Sequence, residues 1–179
     1  MRNPICLILI ILLAAAMVAT PTRAGQPVYG LGILAEDETT PRLVLPVRAG
    51  SRLTVSFFHS YDRADFSEHY NVIGPGGILL TNMTFRSMLN GQGFDLGHYR
   101  AHADGSAELA DINQRLEEVV FRLGSPDLAN HHLTVDGRTH RLLDYFAPGT
   151  LLRLRVDPMA PAGAWARAAH HAPQPEEKP

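Results

Sequence analysis

Leu53-Thr54-Val55-Ser56-Phe57-Phe58-His59-Ser60 and, after the polar break Asp62-Arg63-Ala64-Asp65, Phe66-Ser67-Glu68-His69-Tyr70-Asn71-Val72 decide the fold class of this chain. In the first stretch Leu53, Val55, Phe57 and His59 fall on one face at a period of two. In the second, Phe66, Glu68, Tyr70 and Val72 do the same. That period is the strand spacing, and a polar break between two such runs reads as a hairpin. The register that superposes both apolar faces predicts His59 opposite Glu68, Phe57 opposite Tyr70 and Val55 opposite Val72. An imidazole and a carboxylate then meet at the rim of a hydrophobic surface. Such a pair is costly to bury unless each group satisfies the other, so it reads either as a structural clasp or as the nucleus of a site.

The same pattern recurs outward from this hairpin. Short β-branched or alternating runs span Val28 to Leu34, Arg42 to Val47, Gly77 to Arg86, Leu116 to Leu123, His131 to Val135, Thr139 to Leu143 and Leu151 to Val156. Turn chemistry separates them: Ala49-Gly50-Ser51, Gly74-Pro75-Gly76-Gly77, and Asp136-Gly137, the signature of a two-residue hairpin loop. The stretch Met88 to Asn113 is the least regular. It holds one further candidate strand near Leu96 to His102, and a candidate helix over Ala107 to Leu116 from the near-helical spacing of Glu108, Leu109, Ile112 and Leu116. The expected fold is all-β: a small antiparallel β-sandwich or partly closed barrel built from hairpins.

The ends differ in composition from this core. Arg2, an apolar run from Ile5 to Ala19 and the small-residue ending Thr22-Arg23-Ala24 read as a signal peptide over residues 1–24, leaving no membrane span once cleaved. The run is shorter than the ~20 residues that cross a bilayer comfortably, so an uncut anchor is the lesser reading. Cleavage removes Cys6, the single cysteine, and with it any disulfide or thiolate metal site. The all-β domain is expected over residues 25–157. Residues 158–179 read as an Ala/Pro/His-rich tail that is disordered at its end. The chain has 16 basic and 18 acidic residues, and losing Arg2 and Arg23 leaves 14 basic. A mildly acidic chain without a basic stripe excludes nucleic acid as a partner and points to an extracytoplasmic place, periplasmic in a Gram-negative host.

Set in order, several of these pieces resemble domain of unknown function 1850, a family of small exported bacterial proteins. They are Phe57-Phe58-His59-Ser60, Glu68-His69-Tyr70, Phe85-Arg86-Ser87 leading to Gly91-Gln92-Gly93, Ile112-Asn113-Gln114-Arg115-Leu116, His132-Leu133, and Gly149-Thr150-Leu151-Leu152-Arg153-Leu154-Arg155-Val156. The similarity runs roughly from Val28 to Val156. Met88-Leu89-Asn90 lengthens the segment before the Gly-x-Gly turn, and the tail after Asp157 has no counterpart in the family pattern. The family has no established activity. Its genes often neighbour those of TRAP transporters whose receptor is of the TAXI type, which implies an accessory in solute uptake with a transporter component or its solute as partner.

The candidate site residues are His59, Ser60, Glu68, Tyr70 and Arg115, as a ligand-binding group or a structural clasp. Ser60 and His59 are sequence neighbours on a strand and point to opposite faces, so a serine nucleophile served by His59 is disfavoured and no catalytic residue is assigned. A metal site from His59, Glu68 and one of His98, His102 or His132 is conceivable from the ligand types but is not forced, and no metal or cofactor is assigned. Three functions remain open: a binding accessory of solute uptake, a small metal-binding or hydrolytic enzyme centred on His59 and Glu68, and a structural envelope protein.

Overall fold

The computed structural model describes residues 26–60, 62–86 and 96–159. Residues 1–24, the Gly91-Gln92-Gly93 turn and residues 160–179 of the tail lie outside the described residues. The described chain forms twelve strands: β1 Tyr29–Ala35, β2 Leu43–Val47, β3 Arg52–His59, β4 Ala64–Gly74, β5 Gly77–Phe85, β6 His98–Ala101, β7 Ala107–Ala110, β8 Gln114–Leu116, β9 Glu118–Arg122, β10 His132–Val135, β11 Arg138–Arg141 and β12 Leu151–Pro158. A 3-10 turn at Leu142–Asp144 follows β11.

The strands form two antiparallel sheets. One has the order β2-β1-β12-β9; the other runs β11-β10-β3-β4-β5-β7-β6, with β8 also on β5. Neither closes on itself, so of the two expected architectures the sandwich is the one present. The inner faces meet through Leu31, Ile33, Leu152, Leu154 and Val156 on one side and Leu53, Val55, Val72, Ile78 and Leu133 on the other, all nearly inaccessible. β12 shows the simplest alternation: Leu152, Leu154 and Val156 are buried, while Arg153 and Arg155 turn outward to Glu118 and Asp157. β1 is buried on both faces, because its outer side is crossed by the segment carrying Pro41.

The central hairpin has a tighter register than the apolar pattern predicts. β3 pairs β4 with His59 opposite Ala64, Phe57 opposite Phe66, Val55 opposite Glu68 and Leu53 opposite Tyr70. The expected pairing of His59 with Glu68, Phe57 with Tyr70 and Val55 with Val72 is thus displaced by four residues. Ala64 and Asp65, expected in the turn, already belong to β4, and Arg63 takes a left-handed conformation (φ 52°) that lets the chain reverse early. Because the displacement is even, every side chain keeps its expected face. The register is secured by ring contacts that the shifted pairing creates, with Phe57 and Phe66 centroids 5.2 Å apart.

The candidate helix over Ala107 to Leu116 is replaced by β7 and β8. Asp111 and Asn113, at φ 59° and 51°, kink the chain between them, and the near-helical apolar spacing comes from two short strands laid along β5. At the far end, Asp136 and Gly137 turn β10 into β11 with positive φ, as the Asp-Gly pair predicts. The Asp136 carboxylate also accepts from the Ser51 hydroxyl at 2.7 Å and the Arg52 N–H at 2.9 Å, tying this turn to the start of β3.

Candidate functional site

β9 is the edge strand of the smaller sheet, and it diverges from β3, β4 and β5 of the larger one. Between them lies an open groove of about 690 Å³. Its walls are mostly apolar: Val55, Phe57, Leu80 and Leu116 from the larger sheet, with Val119, Phe121 and Leu123 from the side of β9. This size and lining are those of a small-molecule site.

Glu68 and Tyr70, two residues apart on β4, present their polar atoms to this groove. The Tyr70 hydroxyl donates to Glu68 Oε2 at 2.6 Å. Burial pushes the Glu68 carboxyl above its ordinary pKa, with the Tyr70 hydrogen bond opposing. Tyr70 is held protonated far above its usual range by burial first, then by the adjacent carboxylate. Among the described residues no cation pairs with Glu68. The other groove carboxylate, Glu118, is in contrast held by Arg153 at 2.8 Å.

His59 reaches the groove at its mouth. Its Nδ1 lies 2.9 Å from Asp62 Oδ2, so its carboxylate partner is the turn residue and not Glu68, which sits four positions along the register. At a rise of about 3.3 Å per residue, the two are separated by roughly 13 Å of strand. Asp62 therefore orients the imidazole, as a carboxylate behind a histidine commonly does. Ser60 also lines the groove, because β3 ends at His59 and strict alternation ends with it. No hydrogen bond joins Ser60 to His59 among the described residues.

Arg115 stands apart from these four. It is exposed on β8 opposite Leu79, with its guanidinium near Gly77, and does not line the groove. Nor does a three-ligand metal cluster form: no group of three His, Cys, Asp or Glu among the described residues is close enough to hold an ion. His98 instead lies near Asp111 and His102 near Glu108, each exposed.

Three groove residues are not among the candidate site residues read from the sequence: His131, Phe121 and Arg122. His131 is buried and stacked between Phe57 (centroids 4.8 Å apart) and Phe121 (5.2 Å), so three rings join the two sheets at one end of the groove. Its Nδ1 accepts the Gly124 N–H at 3.2 Å, and burial, followed by the neighbouring His132, lowers its pKa to about 4. Gly124 is required here because a Cβ would lie 2.3 Å from that of Ala129. The signal was present: His131 shares a period-two face with Leu133 and Val135, both core residues. Arg122 is exposed at the rim and donates to the Gly149 carbonyl at 2.7 Å.

On the opposite face of the larger sheet, His69 bridges Thr54 Oγ1 at 3.1 Å and Thr84 Oγ1 at 2.9 Å. It stitches β3, β4 and β5 together outside the groove, and burial lowers its pKa.

Residues 53–142, just over half the chain, match the family described as Domain of unknown function (DUF1850). That span is narrower than the Val28 to Val156 expected from the motifs, yet it contains every residue lining the groove. No curated protein and no solved structure matches the chain.

Proposed function

From the premise that the chain belongs to the DUF1850 family, whose activity is undefined, we propose that it is an exported binding protein that serves TAXI-type TRAP solute uptake through its inter-sheet groove. The observation supporting this reading is the groove itself. A two-sheet sandwich of this size packs its inner faces to density unless something else occupies the space. Here the partly exposed Phe57 and Phe121 border an open volume, with Glu68, Tyr70 and His59 among the residues that line it. Apolar walls with a few convergent polar groups are the make-up of a small-molecule binding site. The N-terminal run over residues 1–24 supports export, and the family's gene neighbourhood supports the transporter as partner. No helix among the described residues is long and apolar enough to cross a membrane.

The test is co-purification from the envelope of the native host. Tagged wild-type chain is expected to enrich the TAXI-type receptor over an unrelated exported protein. A Phe121→Ala variant that retains the wild-type circular dichroism is expected to lose it. Equal recovery with both tagged chains overturns the proposal.

A further inference from the structure

We infer that the groove takes a small organic cation, an ammonium group on an apolar alkyl or aryl body, with Glu68 as its counter-ion. The inference rests on the reading of the groove as a binding site and names what that site selects. Glu68 is half-buried between its cross-strand neighbours Val55 on β3 and Met83 on β5, and the only polar side chain bonded to its carboxylate among the described residues is the Tyr70 hydroxyl on Oε2. A hydroxyl satisfies one lone pair and supplies no charge. A desolvated carboxylate left in that state is costly, and its raised pKa reports the cost.

The other charges near the groove do not relieve it. Glu118 and Arg153 neutralise each other, with Arg153 Nε and Nη2 both on Glu118 Oε2. Arg122 is exposed at the rim, where water screens it, and is engaged by the Gly149 carbonyl. His59 is engaged by Asp62. The charge a ligand must therefore complement is the negative charge of Glu68, and the surface it must cover is apolar. Phe57 and Phe121, stacked on His131, add apolar surface and no charge.

The experiment uses three isosteric probes on the folded chain: phenethylamine, 2-phenylethanol and phenylacetate, titrated calorimetrically and followed by NMR shifts at Val55, Glu68 and Tyr70. Phenethylamine is expected to bind with shifts confined to the groove, and phenylacetate is expected not to bind. Glu68→Gln, which keeps the shape and the acceptor for Tyr70, is expected to weaken amine binding by about tenfold or more while leaving 2-phenylethanol unchanged, as befits loss of a charge-assisted contact. Equal binding of amine and alcohol, or an amine affinity indifferent to Glu68→Gln, overturns the cation assignment and leaves the groove standing as a site. Failure of all three probes overturns the cation assignment, while receptor co-purification separately decides the binding reading.

Discussion

At the scale of single residues, His131 is the group whose protonation the fold resists most clearly. Its ordinary value is 6.5, and the folded state depresses it to about 4, first by burial between Phe57 and Phe121 and then by the charge of His132. Between those values the unfolded chain binds a proton that the folded chain does not. Stability therefore rises with pH across that window, is fully present above 6.5, and is lost as pH falls through about 4, by about 3 kcal/mol in all. His131→Phe keeps a ring in the stack and removes both the titration and the acceptor for the Gly124 N–H, a bond contributing about 1 kcal/mol. In urea unfolding at about pH 7.5 the variant is expected to be less stable than wild type by about 1 kcal/mol, and at about pH 4.5 to be the more stable of the two. Parallel stability curves for the two proteins would show that the stack does not disfavour the imidazolium. Much of the site was legible at this scale: His59, Ser60, Glu68 and Tyr70 all reach the groove. Arg115 stands out in the sequence by its place between Asn113 and the strand at Leu116, and that place says nothing about which edge of a sheet a short strand such as β8 will occupy.

At the scale of the element, the β3–β4 hairpin shows what alternation can and cannot specify. Period two assigned each side chain of Leu53 to His59 and Phe66 to Val72 to its observed face, yet the register moved by four residues. An even slip leaves the apolar pattern unchanged, so the pattern holds no information against it; the turn decides instead, through Arg63 at positive φ and Asp62 against His59. For the same reason the strands and their hairpin partners were legible, and the register of β3 on β4 was not. The segment after Ala107 misled differently, since two short strands broken by Asp111 and Asn113 mimic helical spacing. The register has a direct thermodynamic test. A double-mutant cycle on His59→Ala and Asp62→Ala is expected to show a coupling of about 0.2–1 kcal/mol, the range for a partly exposed pair. The cycle on His59→Ala and Glu68→Ala is expected to be additive within about 0.5 kcal/mol. Coupling in the second cycle with none in the first would mean that the looser hairpin exists in solution.

Across the whole molecule, the two sheets are unequal, and that inequality produces both the groove and a second, thinner region. Four strands cannot cover a sheet that includes β11, β10, β3, β4, β5, β7 and β6, so the larger sheet overhangs the smaller. Where the overhang begins beside β9, the inner faces part and the groove opens. β7 and β6 lie beyond β5 in the larger sheet, and that end carries a separate small cluster of Phe85, Ala107 and Leu109. Every residue of β6 is exposed, and its salt links, such as Arg100 to Asp111 at 2.6 Å, join exposed groups that contribute little. In the two-sheet core, by contrast, Leu31, Ile33, Leu152 and Val156 are fully inaccessible. Apolar burial is the main term that opposes conformational entropy, so the two regions must differ in the free energy at which they open. In native-state hydrogen exchange, amides of His98–Ala101 and Ala107–Ala110 are expected to open at least about 2 kcal/mol below those of β1, β3 and β12, whose opening coincides with global unfolding. Protection that is uniform across all these strands would mean that β6 and β7 unfold only with the sandwich, and that the Phe85 cluster is energetically continuous with the main core.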